Sequence, residues 1–139
     1  MDYDDDGILD FISGSYDPGD LYLFRGEGEG KYAAVEKIVD QNGLALVHHP
    51  KEFAEWSNLD ESEQMSGEMD TITLRVASFG SWPATVDWDA DGDLDMLIGS
   101  FGGDLFLRQN IGTRSKPEYD GTAIPIQADG QALQVNHHA

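Results

Sequence analysis

The sequence predicts an all-β chain of antiparallel sheets, built from two copies of one unit. Three observations predict it. An acidic stretch of nine residues occurs twice, at 2–10 and at 87–95, a shift of 85 positions. Each copy is followed by an apolar run ending in Gly-Ser and then by a second apolar run, Leu21-Tyr22-Leu23-Phe24 or Leu105-Phe106-Leu107. Runs of that length bounded by turn residues read as buried strands. Turn signals punctuate both copies: Pro18-Gly19 and Asn42-Gly43 in the first, Gly102-Gly103 and Asp129-Gly130 in the second.

Both acidic stretches read Asp-aromatic-Asp-x-Asp-Gly-x-Leu-Asp. The spacing suits a hard cation. Calcium takes roughly six to eight oxygens at about 2.3–2.6 Å and tolerates irregular geometry. Aspartates at positions 1, 3 and 5 of a curled loop can turn inward together. Glycine at position 6 allows the sharp bend, because it reaches positive φ at little cost. Position 7 then offers a backbone carbonyl, and the aspartate at position 9 closes the shell. The expected ligands are Asp2, Asp4, Asp6, the Ile8 carbonyl and Asp10 in the first loop. In the second they are Asp87, Asp89, Asp91, the Asp93 carbonyl and Asp95. Without a cation, five carboxylates within nine residues repel one another at close range.

The loop is not an EF-hand. That motif needs a bidentate Glu at position 12 and a helix on each side. Position 12 here is Ser13 or Ile98, and the flanks are strand-like. A solvated acidic turn is the bland alternative for one copy; ligand positions kept in two copies favour the metal.

In chain order, residues 9–13 are expected as a strand, 16–19 as a turn, 21–24 as a strand and 26–30 as a turn. An outer strand is expected over 31–39, and residues 44–47 after the Asn42-Gly43 turn. The second copy repeats the order: a strand over 84–88 leading into the loop, then 94–98, 105–107 and an outer strand over 119–126. The first copy has only Met1 where the leading strand should stand. This reads as a segment cut from a longer protein.

An Asp-x-Asp-x-Asp-Gly-x-x-Asp loop between strands, followed by Gly-Ser and a Leu-Tyr-Leu-Phe or Leu-Phe-Leu-Arg strand, resembles the FG-GAP/VCBS repeats. Those are β-propeller blades, also found in integrin α-subunits, with calcium held in a strand-connecting loop. The resemblance implies about two four-stranded antiparallel blades of an incomplete β-propeller, with two Ca2+ sites. It divides the chain into a first repeat at 1–49, an insertion at 50–82 and a second repeat at 83–139. The remaining blades of the parent chain would be its first partners. Two twisted sheets side by side are expected, with Leu94, Leu97, Leu105 and Leu107 in the core and uncovered faces that invite self-association.

The insertion explains why the period is 85 residues rather than the roughly 40–50 of ordinary propeller blades. Phe53 and Trp56 are expected on a short helical turn, 57–69 as an exposed loop and 71–76 as a strand by its alternation. Tyr3 and Trp88 lie between ligand aspartates and should point away from the metal toward neighbouring repeats. His48-His49 and His137-His138 recur, but adjacent histidines on a strand face opposite ways and make poor partners for one ion. A structural role is expected for them.

Composition narrows the function. Eight Lys and Arg oppose 27 Asp and Glu, a formal net charge of −19, and ten of those acids lie in the two loops. Such a surface repels phosphate backbones and anionic lipid, which disfavours nucleic acid. No apolar run approaches the ~20 residues of a membrane helix. There is no cysteine, so no disulfide framework. No Gly-x-Ser-x-Gly elbow or phosphate-cradling loop is present. The acids of the insertion, Glu52, Glu55, Asp60, Glu61, Glu63 and Glu68, read as a solvated face rather than a glycosidase pair.

The expected function is therefore non-enzymatic: a calcium-binding repeat segment of an exported, extracellular or cell-surface binding or adhesion protein, with a protein or carbohydrate ligand. The alternative is an accessory propeller of an extracellular enzyme, such as a polysaccharide-degrading one, whose catalytic domain lies outside this chain.

Overall fold

Antiparallel β-structure dominates the computed structural model, which describes residues 1–66 and 79–135. In the first copy, β1 (Phe11–Gly14), β2 (Leu21–Phe24) and β5 (Glu36–Ile38) form a three-stranded antiparallel sheet in the order β1-β2-β5. In the second copy, β6 (Ser81–Val86), β7 (Asp95–Ser100), β8 (Leu105–Arg108) and β9 (Ile124–Pro125) form a four-stranded meander. Two small hairpins sit beside them: β3 (Gly26–Gly28) with β4 (Lys31–Tyr32), and β10 (Gln127–Ala128) with β11 (Gln131–Ala132).

The two sheets share one register. Phe11 opposes Phe24 and Gly14 opposes Leu21 in the first, as Met96 opposes Arg108 and Gly99 opposes Leu105 in the second. The shift drops from 85 to 84 across the intervening turn, which runs from Ser15 to Asp20 in one copy and from Ser100 to Asp104 in the other. Both turns close alike: the Ser15 N–H donates to the Asp20 carbonyl at 2.8 Å, and the Ser100 N–H to the Asp104 carbonyl at 2.9 Å. The leading strand β6 pairs Val86 with Asp95. At the position equivalent to Val86, the Met1 amine and carbonyl bond the Asp10 carbonyl and N–H at 3.0 and 2.6 Å.

Because residues paired across strands point the same way, each sheet has two definable faces. Leu21, Leu23 and Ile38 share one face of the first sheet. Met96, Ile98 and Phe106 lie on the opposite face of the second, counted by equivalent position. These two sets meet, and with Tyr3, Leu46 and Tyr119 they form the core cluster. Gly14 is needed at this contact: a Cβ there would sit 1.7 Å from the Ser81 carbonyl oxygen. The repeats thus stack with unlike faces together.

That stacking corrects the expected core. Leu107 is buried but lies outside the cluster, and Leu94, Leu97 and Leu105 are only partly buried. Leu97, Leu105 and Leu107 belong to the face of the second sheet turned away from the first.

The outer strands are shorter than expected. Residues 31–39 divide into β4, which pairs with β3 inside the expected 26–30 turn, and β5. Of 119–126 only Ile124–Pro125 joins the sheet, while Tyr119 bridges Asn110 and Asp40. Residues 44–47 contribute a single bridge, Val39 to Ala45. Both Asp129-Gly130 and Asn42-Gly43 do turn, Asp129, Gly130 and Gly43 having positive φ.

In the insertion, Phe53 and Trp56 lie on a full helix, α1 (Pro50–Ser57), with Pro50 at its first turn. Their rings pack at 5.9 Å. The expected 57–69 loop contains a second helix, α2 (Glu61–Ser66). It starts at a capping box: the Asp60 carboxylate accepts from the Glu63 N–H at 2.8 Å, and Glu63 accepts from the Asp60 N–H at 3.1 Å. The expected strand over 71–76, together with Glu68, His137 and His138, lies outside the described residues. His48-His49 is not on a strand. It precedes α1, with the two rings 4.3 Å apart and His48 stacked on Phe106 at 5.3 Å.

Candidate metal centres

Each acidic stretch is held in a curl by hydrogen bonds that recur at the 85-residue shift. Asp2 accepts from the Gly7 N–H at 3.0 Å, and Asp87 from the Gly92 N–H at 3.2 Å. Asp6 accepts from the Ile8 N–H at 2.8 Å, and Asp91 from the Asp93 N–H at 3.0 Å. Asp10 accepts from the Tyr3 N–H at 2.7 Å, and Asp95 from the Trp88 N–H at 2.9 Å. The second oxygen of each ninth-position aspartate reaches two residues past β2 or β8: Asp10 takes the Gly26 N–H at 2.7 Å, Asp95 the Asn110 N–H at 2.8 Å. The curl uses positive φ at Gly7 and Gly92, and also two residues earlier, at Asp5 and Ala90.

This frame gathers carboxylates. Oxygens of Asp2, Asp4 and Asp10 lie within 4.8 Å of one another, as do those of Asp87, Asp89 and Asp91. Two ligands each about 2.3–2.6 Å from one ion are at most about 5 Å apart, so either trio can share a cation. Asp6 and Asp95 lie outside the trios. The Ile8 and Asp93 peptides are fixed through their N–H groups by Asp6 and Asp91. Asp10 and Asp95 are buried, each with one backbone N–H on each oxygen. Their first task is to hold the loop, with remaining lone pairs open to an ion.

Electrostatics favour a cation at both loops. Asp4 Oδ1 and Asp93 Oδ1 are buried with no hydrogen-bond partner. Burial, then the charges of Asp91, Asp95 and Asp89, push the Asp93 carboxyl up to about 6. An all-oxygen acceptor set carrying excess negative charge, offset only in the first loop by Arg25, fits calcium, which would supply positive charge and a common anchor for the loop oxygens.

The loops differ in their surroundings. Arg25 bonds Asp4 and also Glu36 in the first loop. Gln109 occupies the equivalent position in the second. Arg114, from the second repeat, donates to the Asp2 and Tyr3 carbonyls at 2.5 and 2.9 Å. Tyr3 is buried against Tyr119 of the second repeat, and burial raises both phenols. Trp88, its counterpart, is 50% exposed.

Arg25, Arg114 and Asn110 were not legible as site residues. Asn110 does carry a signal, an Asn-x-Gly, and its side chain accepts from the Gly112 and Glu118 N–H groups at 2.9 and 3.0 Å. Arg25 and Arg114 lie in unequal settings of the two copies, so the repeat does not reveal them.

Comparison of the chain with protein families, with curated proteins and with solved structures found no match. No described helix is long and apolar enough to cross a membrane.

Proposed function

We propose that this chain is two consecutive calcium-stabilised repeats of a β-propeller of the FG-GAP/VCBS kind, a non-catalytic part of an exported binding or adhesion protein. The observation that carries the reading is the loop frame. Four backbone N–H to aspartate bonds recur at equivalent positions around both acidic clusters, with strands in one register on either side. A solvated acidic turn has no need of such a frame twice.

The stacking of unlike sheet faces supports the propeller, whose blades follow one another in a single sense. The metal role is local and structural: the cation links a strand-connecting loop to the sheet, and the residues of this chain bind and orient it. The helical insertion, on a rigid β-scaffold, is the surface best placed for a protein or carbohydrate ligand.

Thermal melting tests the reading. A cation bound only by the folded chain stabilises it by about 2.7 kcal/mol per site at a hundredfold excess over Kd. Calcium should raise the melting temperature clearly above its value in chelator, and magnesium should substitute poorly because it demands a tighter octahedral shell. Equal melting in calcium and chelator would reduce the loops to acidic turns.

A further inference from the structure

The faces by which the two repeats join inside the chain have counterparts that, among the described residues, are partly exposed. In the second repeat, Met96, Ile98, Phe106 and Arg108 form the face that meets the first repeat, and all are at most 1% exposed. The same positions of the first repeat are Phe11, Ser13, Tyr22 and Phe24. This leading face is aromatic but open: Phe11 is 42% exposed, stacked on Phe24 at 4.4 Å with Tyr32 edge-on at 5.4 Å.

The receiving face is duplicated too. In the first repeat it is Ile12, Leu21, Leu23 and Ile38, packed against the second repeat. In the second repeat the matching positions are Leu97, Leu105, Leu107 and Ile126, so three of the four residues are identical. Across the strands, Trp82, Gly99 and Leu105 form one row and Ala84, Leu97, Leu107 and Ile124 another. Leu107 is buried and Leu97 and Leu105 half-buried, but Trp82 is 57% and Ile124 39% exposed at the two edges of this face, and a Cβ on Gly99 would meet open space.

We infer that the Phe11–Phe24 face of one copy of this chain docks on the Trp82–Ile124 face of another, continuing head to tail the contact already made between its own repeats. The occupant follows from that internal contact: a leading face is what this receiving face accepts in the first repeat. Unlike faces make the contact heterologous, so each added copy presents a new free face, and association ends only when a ring closes. The inference rests on the repeat relationship and not on the metal.

The test uses the full chain in calcium at physiological salt, where charge repulsion is screened beyond about 8 Å. Phe11→Gln removes the leading face, and Trp82→Gln or Ile124→Gln the receiving face. All three change exposed side chains, leave the net charge unaltered, and should keep the wild-type circular dichroism. By sedimentation at high micromolar concentration, the wild type should exceed twice the 15.3 kDa protomer mass. Each variant alone should sediment as protomer. An equimolar mixture of Phe11→Gln with either receiving-face variant should form a dimer and nothing larger, since one intact face of each kind remains. A monomeric wild type, or a mixture that stays monomeric while the wild type associates, would overturn the inference. The chelator experiment on melting is separate, so loss of the calcium reading would leave this result interpretable.

Discussion

Arg108 and Asp40 form an ion pair at 3.1 Å with neither side chain exposed, one from each repeat. Asp40 also accepts the Asn42 and Leu44 N–H groups at 2.8 and 3.0 Å, so its position is fixed from its own side. Arg108 ends β8, where the first repeat has Phe24. Burial draws the guanidinium pKa below its ordinary value, and Asp40 opposes that shift. The pair is thus a polar pin through the contact between the repeats.

Breaking the pin should be costly. Removing one partner leaves a buried charge uncompensated, typically about 3–5 kcal/mol. Arg108→Met and Asp40→Ala should each lower the urea midpoint strongly. The double variant should lose less than the sum of the two, because neither charge is then stranded. Additive losses would mean the two side chains act independently.

Asp89 and Asp95 should separate metal binding from loop architecture. Asp89 is exposed, while Asp95 is buried and holds two backbone N–H groups. Asp89→Asn should leave stability in chelator within about 0.5 kcal/mol of wild type and abolish the calcium response of the second loop. Asp95→Asn should lose about 1–3 kcal/mol even in chelator, since one buried N–H loses its acceptor. Melting of both variants with and without calcium decides it.

Arg25 partly stands in for a cation in the first loop. Its contact with Glu36 is half-exposed and therefore modest in strength, while its contact with Asp4 is more buried. Arg25→Gln should tighten calcium at the first loop several-fold and leave the second unchanged. Calcium titration against the Asp89→Asn background isolates the first site. Weaker binding after Arg25→Gln would make Arg25 a support of the loop instead.

His48 should destabilise the fold in mild acid. Burial against Phe106, then the neighbouring His49, lowers its pKa below 6.5, with Asp104 opposing. The unfolded chain therefore binds this proton first as pH falls. Stability from this residue is complete above pH 6.5 and is lost as pH falls through the folded value. Asp93, raised by burial and its acidic neighbours, acts in the opposite direction over a neighbouring window. The measurement is thus the difference in stability between wild type and His48→Gln in saturating calcium. It should shrink as pH falls from 7 to 5.

The sequence was most informative where chemistry repeats. The repeated aspartate spacing located both acidic loops, and apolar runs located β1, β2, β7 and β8, because a buried strand needs a run of such residues. The outer strands were overread: after Gly26 and Asn110 the chain satisfies its backbone through the β3–β4 hairpin and the Asn110 side chain rather than the main sheets. Leu97 and Leu105 look like core by composition, yet which face is covered depends on how the repeats stack. Arg108 ends an apolar strand, and only its meeting with Asp40, 68 residues away, explains its burial. α2 was legible in principle from Asp60-x-x-Glu63, a capping box within an acidic stretch that invites a loop assignment.

Calorimetric titration of calcium into the chelator-stripped chain tests the central claim most directly. Two sites should appear, each with a dissociation constant of roughly 10⁻⁴–10⁻³ M, and Asp89→Asn should leave one. A chain that takes up no calcium, or binds it equally after Asp89→Asn, would contradict the assignment of the two loops as metal centres.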